Sequence, residues 1–407
     1  MKALGQVAAT DPGAANQDPD RTRPAYVAVL GTAVLCYAAL GAVLRALPWL
    51  VSARLGGGPV AIGLSVGAPA LTGAVLRPLG GRLADRVGPL PVLLSGAGLM
   101  ALGVLPALDA HLVALVASRL VVGGGEALMM SAAVLWLLKL AGSRRRGRAL
   151  GHIGLANYAG LTLGPLFTDA IDPAAHLDLL WALALALPLV GGVLALTQRR
   201  TQGTPEERPV PQAASPRDEA ASLGSLTLRP GLGLLLVNVG YVALLSFGAA
   251  ATTAHHLHIE AFVVPVFGLG VILSRTLLAS VPDRLGGART LTGGAGLAAA
   301  GLVVVATAHG AWLGILGVLT LAVGQGVAVP ALGLLALARV DPSRQGAAAG
   351  LFFAYFDAGV GLGGPLVGLA ARAFNAPAAL LVAAGTVGAA VPAALLSLPV
   401  AATRRRV

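Results

Sequence analysis

A short polar turn between apolar segments occurs twice in this chain of 407 residues. Residues 76–88 read LRPLGGRLADRVG and residues 274–286 read SRTLLASVPDRLG, so an Arg, an Asp-Arg pair and a Gly recur 198 positions later. A Gly-Pro-Leu sequence also recurs 200 positions apart, at 164–166 and 364–366. Repetition at about half the chain length indicates that the chain folds as two similar halves.

Composition places both halves in lipid. Hydrophobic residues make up 56% of the chain and charged residues only 11%, whereas about 25% of a soluble domain is charged. Twelve segments are long enough and apolar enough to cross a bilayer. They fall at 26–50, 60–81, 90–108, 112–138, 147–169, 177–197, 231–254, 262–281, 290–308, 311–337, 346–371 and 377–400.

The domain organisation follows from one polar, proline-containing break at residues 198–230, predicted to be a cytoplasmic linker. It separates an N-terminal six-helix bundle at 25–197 from a C-terminal six-helix bundle at 231–400. We predict an all-α membrane protein with twelve transmembrane helices in two pseudo-symmetric bundles, a construction that many secondary transporters share. Residues 1–24 are predicted to form a disordered cytoplasmic tail, and residues 401–407 a basic cytoplasmic tail.

The distribution of Lys and Arg predicts the orientation. With the N-terminus in the cytoplasm, 22 of the 28 basic residues lie in cytoplasmic segments and only Arg54 and Arg372 lie in outer loops. We therefore expect a multi-pass protein of the bacterial plasma (inner) membrane with both termini in the cytoplasm. The same bias explains the formal charge of +11, so nucleic acid is not an expected partner.

The turn after the second span carries the most specific motif. Residues 81–88, GRLADRVG, resemble the cytoplasmic signature of the major facilitator superfamily, and the resemblance covers about residues 26–400. Gly88 permits a tight turn, and a carboxylate at Asp85 is favoured near helix N-termini. The resemblance implies a gate at the cytoplasmic side. We assign to this gate Arg77, Gly81, Asp85, Arg86, Gly88, Arg275, Asp283 and Arg284.

Two further motifs resemble those of the drug-efflux and arabinose-efflux-like proton antiporter branch of that superfamily. Arg119 precedes a glycine-rich stretch at 123–125, as in the second family motif. The fifth span resembles the antiporter motif, although residues 168–169 are Thr-Asp where the motif has Gly-Gly. The antiporter-like residues of the two halves are Gly160, Gly164, Pro165, Gly364 and Pro365.

Two acidic residues lie near the middle of predicted spans, Glu126 and Asp357. A charge at the bilayer centre costs about 2.5–3.5 kcal/mol, so such residues usually face the bundle interior. A carboxyl group in apolar surroundings takes up a proton more readily than in water. We predict that both are proton-coupling sites, the alternative being structural acids. Arg119 lies on the same helix face as Glu126, and is predicted to tune the acids, to bind an anionic group or to be a structural partner.

A set of polar and aromatic residues is predicted to line a cavity between the halves. It comprises Arg45, Asn157, Tyr158, Tyr37, Met130, Tyr355 and Phe356. Packing and interhelical hydrogen bonds are the alternatives, and Arg45 can also snorkel toward the membrane surface. Arg77 and Arg275 occupy equivalent positions in the two halves, and that symmetry favours a gate or packing role over substrate contact.

The predicted function is secondary active transport by alternating access, as proton-coupled efflux of a small, partly apolar drug or metabolite. The alternatives are proton-coupled transport of a polar or anionic metabolite (an organic acid, a sugar or an amino-acid-derived metal chelator) and a non-transporting membrane sensor. No phosphate-binding loop or catalytic set is recognised, so we predict no enzyme. Expected partners are a small-molecule substrate and membrane lipids. We expect a monomer that uses the proton gradient and no cofactor or metal.

Overall fold

A computed structural model describes residues 19–108, 111–141, 146–199, 216–338, 340 and 345–395. Within these ranges the chain is helical and contains no β-strand. Its α-helices are α1 (Pro19–Trp49), α2 (Pro59–Val87), α3 (Pro89–Leu102), α4 (Leu112–Ala141), α5 (Arg146–Ile171), α6 (Leu177–Leu196), α7 (Pro216–Ala254), α8 (Val263–Leu277), α9 (Val281–Leu285), α10 (Gly287–Thr307), α11 (Ala311–Leu337), α12 (Gln345–Ala373) and α13 (Ala376–Leu395). A π-helical turn, Leu50–Arg54, extends α1, and a 3-10 turn, Leu105–Leu108, follows α3.

Each predicted span coincides with a helix of the described ranges, and only the five-residue α9 lies between spans. Ten of these helices, with their flanking turns, are long and apolar enough to cross a membrane by length and composition. The remaining two are α8, an apolar helix of 15 residues, and α5, which has 26. The prediction of an all-α fold with twelve membrane-spanning helices is confirmed.

The helix ends differ from the predicted spans where polar sequence continues a helix. α7 begins at Pro216, well before the predicted start of its span, because hydropathy detects only the part of a helix that contacts lipid. The last part of the predicted linker 198–230 is therefore helical. α1 likewise begins at Pro19, inside the predicted tail 1–24. Residues 1–18, 200–215 and 401–407, on which the tail and linker predictions mainly rest, lie outside the described residues.

The helices pack as two groups, α1–α6 and α7–α13. In the first group α1 packs against α5 and α6, and α4 packs against α2 and α3. In the second group α7 packs against α12 and α13, and α10 packs against α11 and α13. The two groups meet mainly where α2 packs on α12 and where α5 packs on α8. Any residue on these four helices that faces the partner helix therefore belongs to the interface between the halves.

The repeated turn has the same backbone geometry in both halves. Gly88, between α2 and α3, has φ 91° and ψ 158°, and Gly286, between α9 and α10, has φ 82° and ψ 153°. This region of backbone conformation is accessible almost only to glycine. The recurrence of Gly at the end of the repeated motif is thus explained by the turn that it makes.

The connections between helices define two faces. We call the end with the turns at 55–58, 172–176, 255–262 and 308–310 the predicted outer face. We call the end with the turns at Gly88 and Gly286 the predicted cytoplasmic face. At the predicted outer face α2 and α12 are in backbone contact, because a side chain at Gly63 would overlap the carbonyl group of Gly364. Small residues permit such close approach of membrane helices.

Candidate functional site

Arg77 of α2 lies between the two intramembrane acids. Its Nε donates to Oδ2 of Asp357 at 2.6 Å, and its Nη2 donates to Oδ1 of the same carboxylate at 3.2 Å. Nη2 also donates to Glu126, at 3.0 Å to Oε2 and 3.3 Å to Oε1. One guanidinium thus binds two carboxylates, in the fork geometry that makes Arg–carboxylate pairs strong.

The acids of this cluster are removed from solvent. The Glu126 and Asp357 side chains are 9% and 3% exposed, whereas Arg77 is 24% exposed. The buried Tyr37 hydroxyl donates to Oε1 of Glu126. Tyr37, Arg77 and Glu126 come from α1, α2 and α4, and Asp357 comes from α12. The Arg77–Asp357 pair therefore joins the first half to the second.

The charges of this cluster do not balance. Two ionised carboxylates and one guanidinium leave a net charge of −1, and a buried excess charge in a membrane is unfavourable. Uptake of one proton makes the cluster neutral. The cluster therefore holds one more acidic group than basic groups within the membrane.

Arg119 is not in contact with the acids. It is 2% exposed, and its Nε donates to the backbone carbonyl of Ser65 on α2 at 3.3 Å. No carboxylate forms an ion pair with Arg119 in the described ranges. The partner of Glu126 is Arg77, which sequence reasoning placed in the gate. The signal that could have found it is its location inside a span, since a buried Arg needs an acid or a carbonyl group nearby.

Arg45 binds Asp169, across α1 and α5. The Nη2–Oδ1 distance is 3.0 Å, and the two side chains are 23% and 29% exposed. The adjacent Thr168 donates from Oγ1 to the backbone carbonyl of Ala42 at 2.8 Å. The Thr-Asp pair that replaces Gly-Gly in the antiporter-like motif thus ties α5 to α1. Arg45 lies in this pair and not beside Arg77.

We expect Asp169→Asn to lower the free energy of unfolding by no more than about 1 kcal/mol, because partly exposed ion pairs contribute little. The measurement is a double-mutant cycle with Arg45→Gln, followed by thermal unfolding in detergent. A coupling energy several times larger would show that this pair resembles a buried one.

A second interhelical contact joins the halves at α5 and α8. The guanidinium carbon of Arg275 lies 4.8 Å from the centre of the Tyr158 ring, a cation–π geometry. Asn157 lies beside Tyr158, and its Oδ1 is buried without a hydrogen-bond partner, as is Nε of Arg275. Toward the predicted outer face a small apolar pocket is lined by Tyr158, Tyr241 and Phe267, among others.

The other predicted cavity residues are dispersed. Phe356 approaches the Tyr241 ring with centroids 6.2 Å apart. The Tyr355 ring packs on Gly231 at the beginning of α7's membrane-spanning part. Met130 packs against the apolar core of the first half. Neither Met130 nor Tyr355 contacts the Arg77 cluster through a hydrogen bond or an ion pair in the described residues.

The predicted gate residues are exposed at the predicted cytoplasmic face. Asp85, Arg86, Asp283 and Arg284 are all exposed, and none of them forms an ion pair within the described part of the chain. Gly81 is half-buried with open space around it. Of the predicted gate, Arg77 and Arg275 contact the opposite half.

The antiporter-like glycines bring helix backbones together. Gly160 and Gly164 of α5 lie against the backbone of α1 at Ala38, and Pro165 packs against Gly41. Gly364 of α12 lies against Gly63, and the nitrogen of Pro365 is also close to Gly63. These residues therefore pack helices together, the first set within one half and the second set between halves.

Two helical membrane bundles whose interface contains a buried ion cluster define a multi-pass secondary transporter, a class without enzymatic chemistry. Comparison with known proteins gives the family. The Major Facilitator Superfamily profile matches residues 29–363, and the chain belongs to this superfamily. The fold then implies a small-molecule substrate, which crosses between the two bundles.

Relatives agree on the family and name no substrate. An uncharacterized MFS-type transporter of Burkholderia pseudomallei (strain 1106a) is 32% identical over 369 residues, which cover 88% of each chain. An uncharacterized MFS-type transporter of Salmonella typhimurium is 30% identical over 345 residues, covering 82% of this chain and 86% of the relative. The crystal structure of the nucleoside transporter NupG shares the fold with a TM-score of 0.76 at 14% identity, covering 91% of this chain and 99% of that one.

Proposed function

We propose that this chain is a proton-coupled transporter that works by alternating access, and that Arg77, Glu126 and Asp357 form its proton site. The observation that carries this proposal is one guanidinium shared by two buried carboxylates. Because the ionised cluster has an excess negative charge, a proton binds to it at less cost than to a neutral ion pair.

The position of the cluster links protonation to movement of the halves. Arg77 and Asp357 belong to opposite halves, and their bond is part of what holds α2 to α12. Protonation of Asp357 removes the charge that attracts Arg77, and the guanidinium then stays with Glu126. A proton that binds one state of the two halves better than the other shifts their equilibrium toward that state.

We propose efflux of a small, partly apolar compound as the direction and cargo. The apolar pocket at Tyr158, Tyr241 and Phe267 between the halves supports a partly apolar cargo. The antiporter-like glycine motif supports exchange for protons. The second candidate is proton-coupled transport of an anionic metabolite, favoured by Arg119 and Arg275, which have no acidic partner among the described residues.

The remaining properties of the proposal come from the sequence. We place the protein in the bacterial inner membrane as a monomer in contact with lipid, with both termini in the cytoplasm. The turns that contain Asp85-Arg86 and Asp283-Arg284 act as the cytoplasmic gate. Their exposure without ion pairs is compatible with a state in which that gate is open, while the halves touch at Gly63 and Gly364. The proton gradient supplies the energy, without a cofactor.

The test combines a growth screen with flux in proteoliposomes. Cells that carry the parent are screened for resistance to toxic compounds against an empty vector, and proton entry is then recorded with the compound that is found. Glu126→Gln and Asp357→Asn should each lower pH-driven flux by about tenfold or more, since each removes a proton-binding carboxylate. Asp178→Asn, at an exposed acid of α6, is the matched control.

Three outcomes contradict the proposal in different ways. Full pH-driven flux in both neutral variants would exclude these acids as the proton site. A transport rate in the parent that does not depend on the pH gradient would exclude proton coupling. A parent without flux for any compound, whose phenotype survives Glu126→Gln, would favour the sensor interpretation.

A further inference from the structure

Arg275 is the counterpart of Arg77 in the second half. The two arginines are 198 positions apart in the repeated motif. Arg77 of α2 contacts α12 of the other half, and Arg275 of α8 contacts α5 of the other half. The α2–α12 and α8–α5 contacts are therefore two versions of one interface, related by the internal repeat.

The two acids that bind Arg77 are replaced by amides at the equivalent positions for Arg275. The offset of 200 between Gly164-Pro165 and Gly364-Pro365 makes Asn157 the counterpart of Asp357. On α11, Gln325 lies 199 positions after Glu126. Gln325 is fully buried and donates to Oδ1 of Asn238 at 3.1 Å. Where Arg77 has two carboxylates, the equivalent positions for Arg275 hold carboxamides, Asn157 on α5 and Gln325 on α11.

The result is a cation without a counter-ion. No acidic side chain pairs with Arg275 in the described ranges, and its Nε is buried without a hydrogen-bond partner. A charge at membrane depth is normally paired, and a protein keeps an unpaired one where it serves a function. Gly154, Asn157 and Tyr158 lie on one face of α5. The Tyr158 ring contacts the guanidinium, and a Cβ atom at Gly154 would lie 3.4 Å from Nη1 of Arg275.

We propose that Arg275 binds an anionic group of the transported compound, and that the apolar site formed by Tyr158, Tyr241 and Phe267 contacts its apolar part. The space between these side chains is only about 10 Å³, so the apolar part enters when the two halves move apart. Tyr158 belongs to both places, and Gly268 of the pocket is seven residues before Arg275 on α8, or about 10 Å along the helix. The substrate class is thus an organic anion with an apolar or aromatic body. This inference rests on the proposed function, because it assigns the cargo of that transporter.

The test uses a matched series of probes on the full chain purified in detergent. Naphthylacetate and naphthyl phosphate are anionic, the corresponding naphthyl alcohol is neutral and the naphthylethylamine is cationic. The dissociation constant of each is measured by calorimetry at neutral pH. The parent should bind an anion more tightly than the alcohol and the amine. Arg275→Gln should weaken anion binding by about tenfold or more, as expected for loss of a charge-assisted contact, and change alcohol binding by less than about twofold.

Asn157→Asp gives an independent test with a nearly unchanged side-chain volume. It places a carboxylate at the position equivalent to Asp357 of the α2–α12 contact, so Arg275 gains the partner that Arg77 has. Anion binding should fall by about tenfold, while alcohol binding reports that the protein remains folded. Arg372→Gln, at an exposed Arg of α12, is the control and should bind the anions like the parent.

The inference is overturned if either variant binds the anions as the parent does, if the parent prefers the amine, or if the parent binds neither anion. None of these results bears on the proton site, because that site is tested by pH-driven flux in Glu126→Gln. If the parent shows no proton coupling but still binds anions through Arg275, the proposed proton site is wrong and the assignment of Arg275 to anion binding is retained.

Discussion

Arg77→Gln should be more damaging than removal of either acid. The substitution leaves Glu126 and Asp357 as two carboxylates in one buried site with no cation between them. Removing one partner of a buried ion pair costs about 3–5 kcal/mol, and the 24% exposure of Arg77 favours the lower end of that range. We expect the free energy of unfolding to fall by about 3 kcal/mol. Proton-driven flux should fall by more than the loss of about tenfold that is expected for either acid variant, because no cation is left to pair with the ionised carboxylates.

The acids themselves provide the control for this result. In Arg77→Gln combined with Glu126→Gln and Asp357→Asn no charge remains in the cluster, so thermal stability should return toward that of the parent while flux stays absent. Arg82→Gln changes an exposed Arg five residues further along α2, and should leave both stability and flux unchanged. Unaltered flux in Arg77→Gln would show that the cluster is not part of the transport cycle.

The helices could be predicted because lipid imposes a strong requirement on sequence. A membrane-spanning helix needs about 20 apolar residues, and the spans therefore appear in hydropathy even where glycine is frequent. The polar start of α7 at Pro216 could not be found in this way. The residues at the start of α7 are compatible with a helix, but hydropathy detects only the part of that helix that lies in the lipid.

The composition of the Arg77–Glu126–Asp357 cluster was predicted only in part. Glu126 and Asp357 are conspicuous because mid-span acids are rare. Arg119 was predicted to tune the acids, to bind an anionic group or to be a structural partner, because it lies on the same face of α4 as Glu126. In the structure Arg119 donates to the Ser65 carbonyl, and Arg77 holds the acids. Four arginines lie in the interior of the predicted spans. The packing of α2, α4 and α12 decides which of them reaches Glu126 and Asp357, and the spacing of residues along one helix does not contain this information.

Symmetry predicted the positions of Arg77 and Arg275 but not their partners. Equivalent positions of Arg77 and Arg275 favoured a shared structural role. The structure shows that the positions are equivalent and that their partners are not, because Asp357 faces one and Asn157 is the counterpart at the other. A duplicated fold keeps its backbone contacts while individual side chains diverge, so symmetry predicts location better than chemistry.

Gly63→Val should prevent the halves from closing at the predicted outer face. A side chain there meets the carbonyl group of Gly364, and at Gly67 it would meet the carbonyl oxygens of Val360 and Gly361, each 2.9 Å away. Backbone atoms cannot move aside as a flexible side chain can. Overpacking costs about 1–3 kcal/mol and occasionally more, so the closed state should become about ten- to a hundredfold less populated. Flux should fall by a similar factor because every cycle passes through that state.

The conformational effect can be measured directly. Cys36 is the one cysteine of the chain, so Cys36→Ala provides a cysteine-free background. In that background Val360→Cys, at a position only 8% exposed, should react with a membrane-impermeant maleimide about tenfold faster when Gly63→Val is present. Gly98→Val is the matched control, because a side chain at Gly98 meets nothing within 4 Å. Slow labelling together with normal flux in Gly63→Val would show that contact between α2 and α12 at Gly63 and Gly364 is not a required step. In that event the equilibrium between the two states is set elsewhere, and the Arg77–Asp357 bond, a further link between these helices, is the element that the proposed protonation has to move.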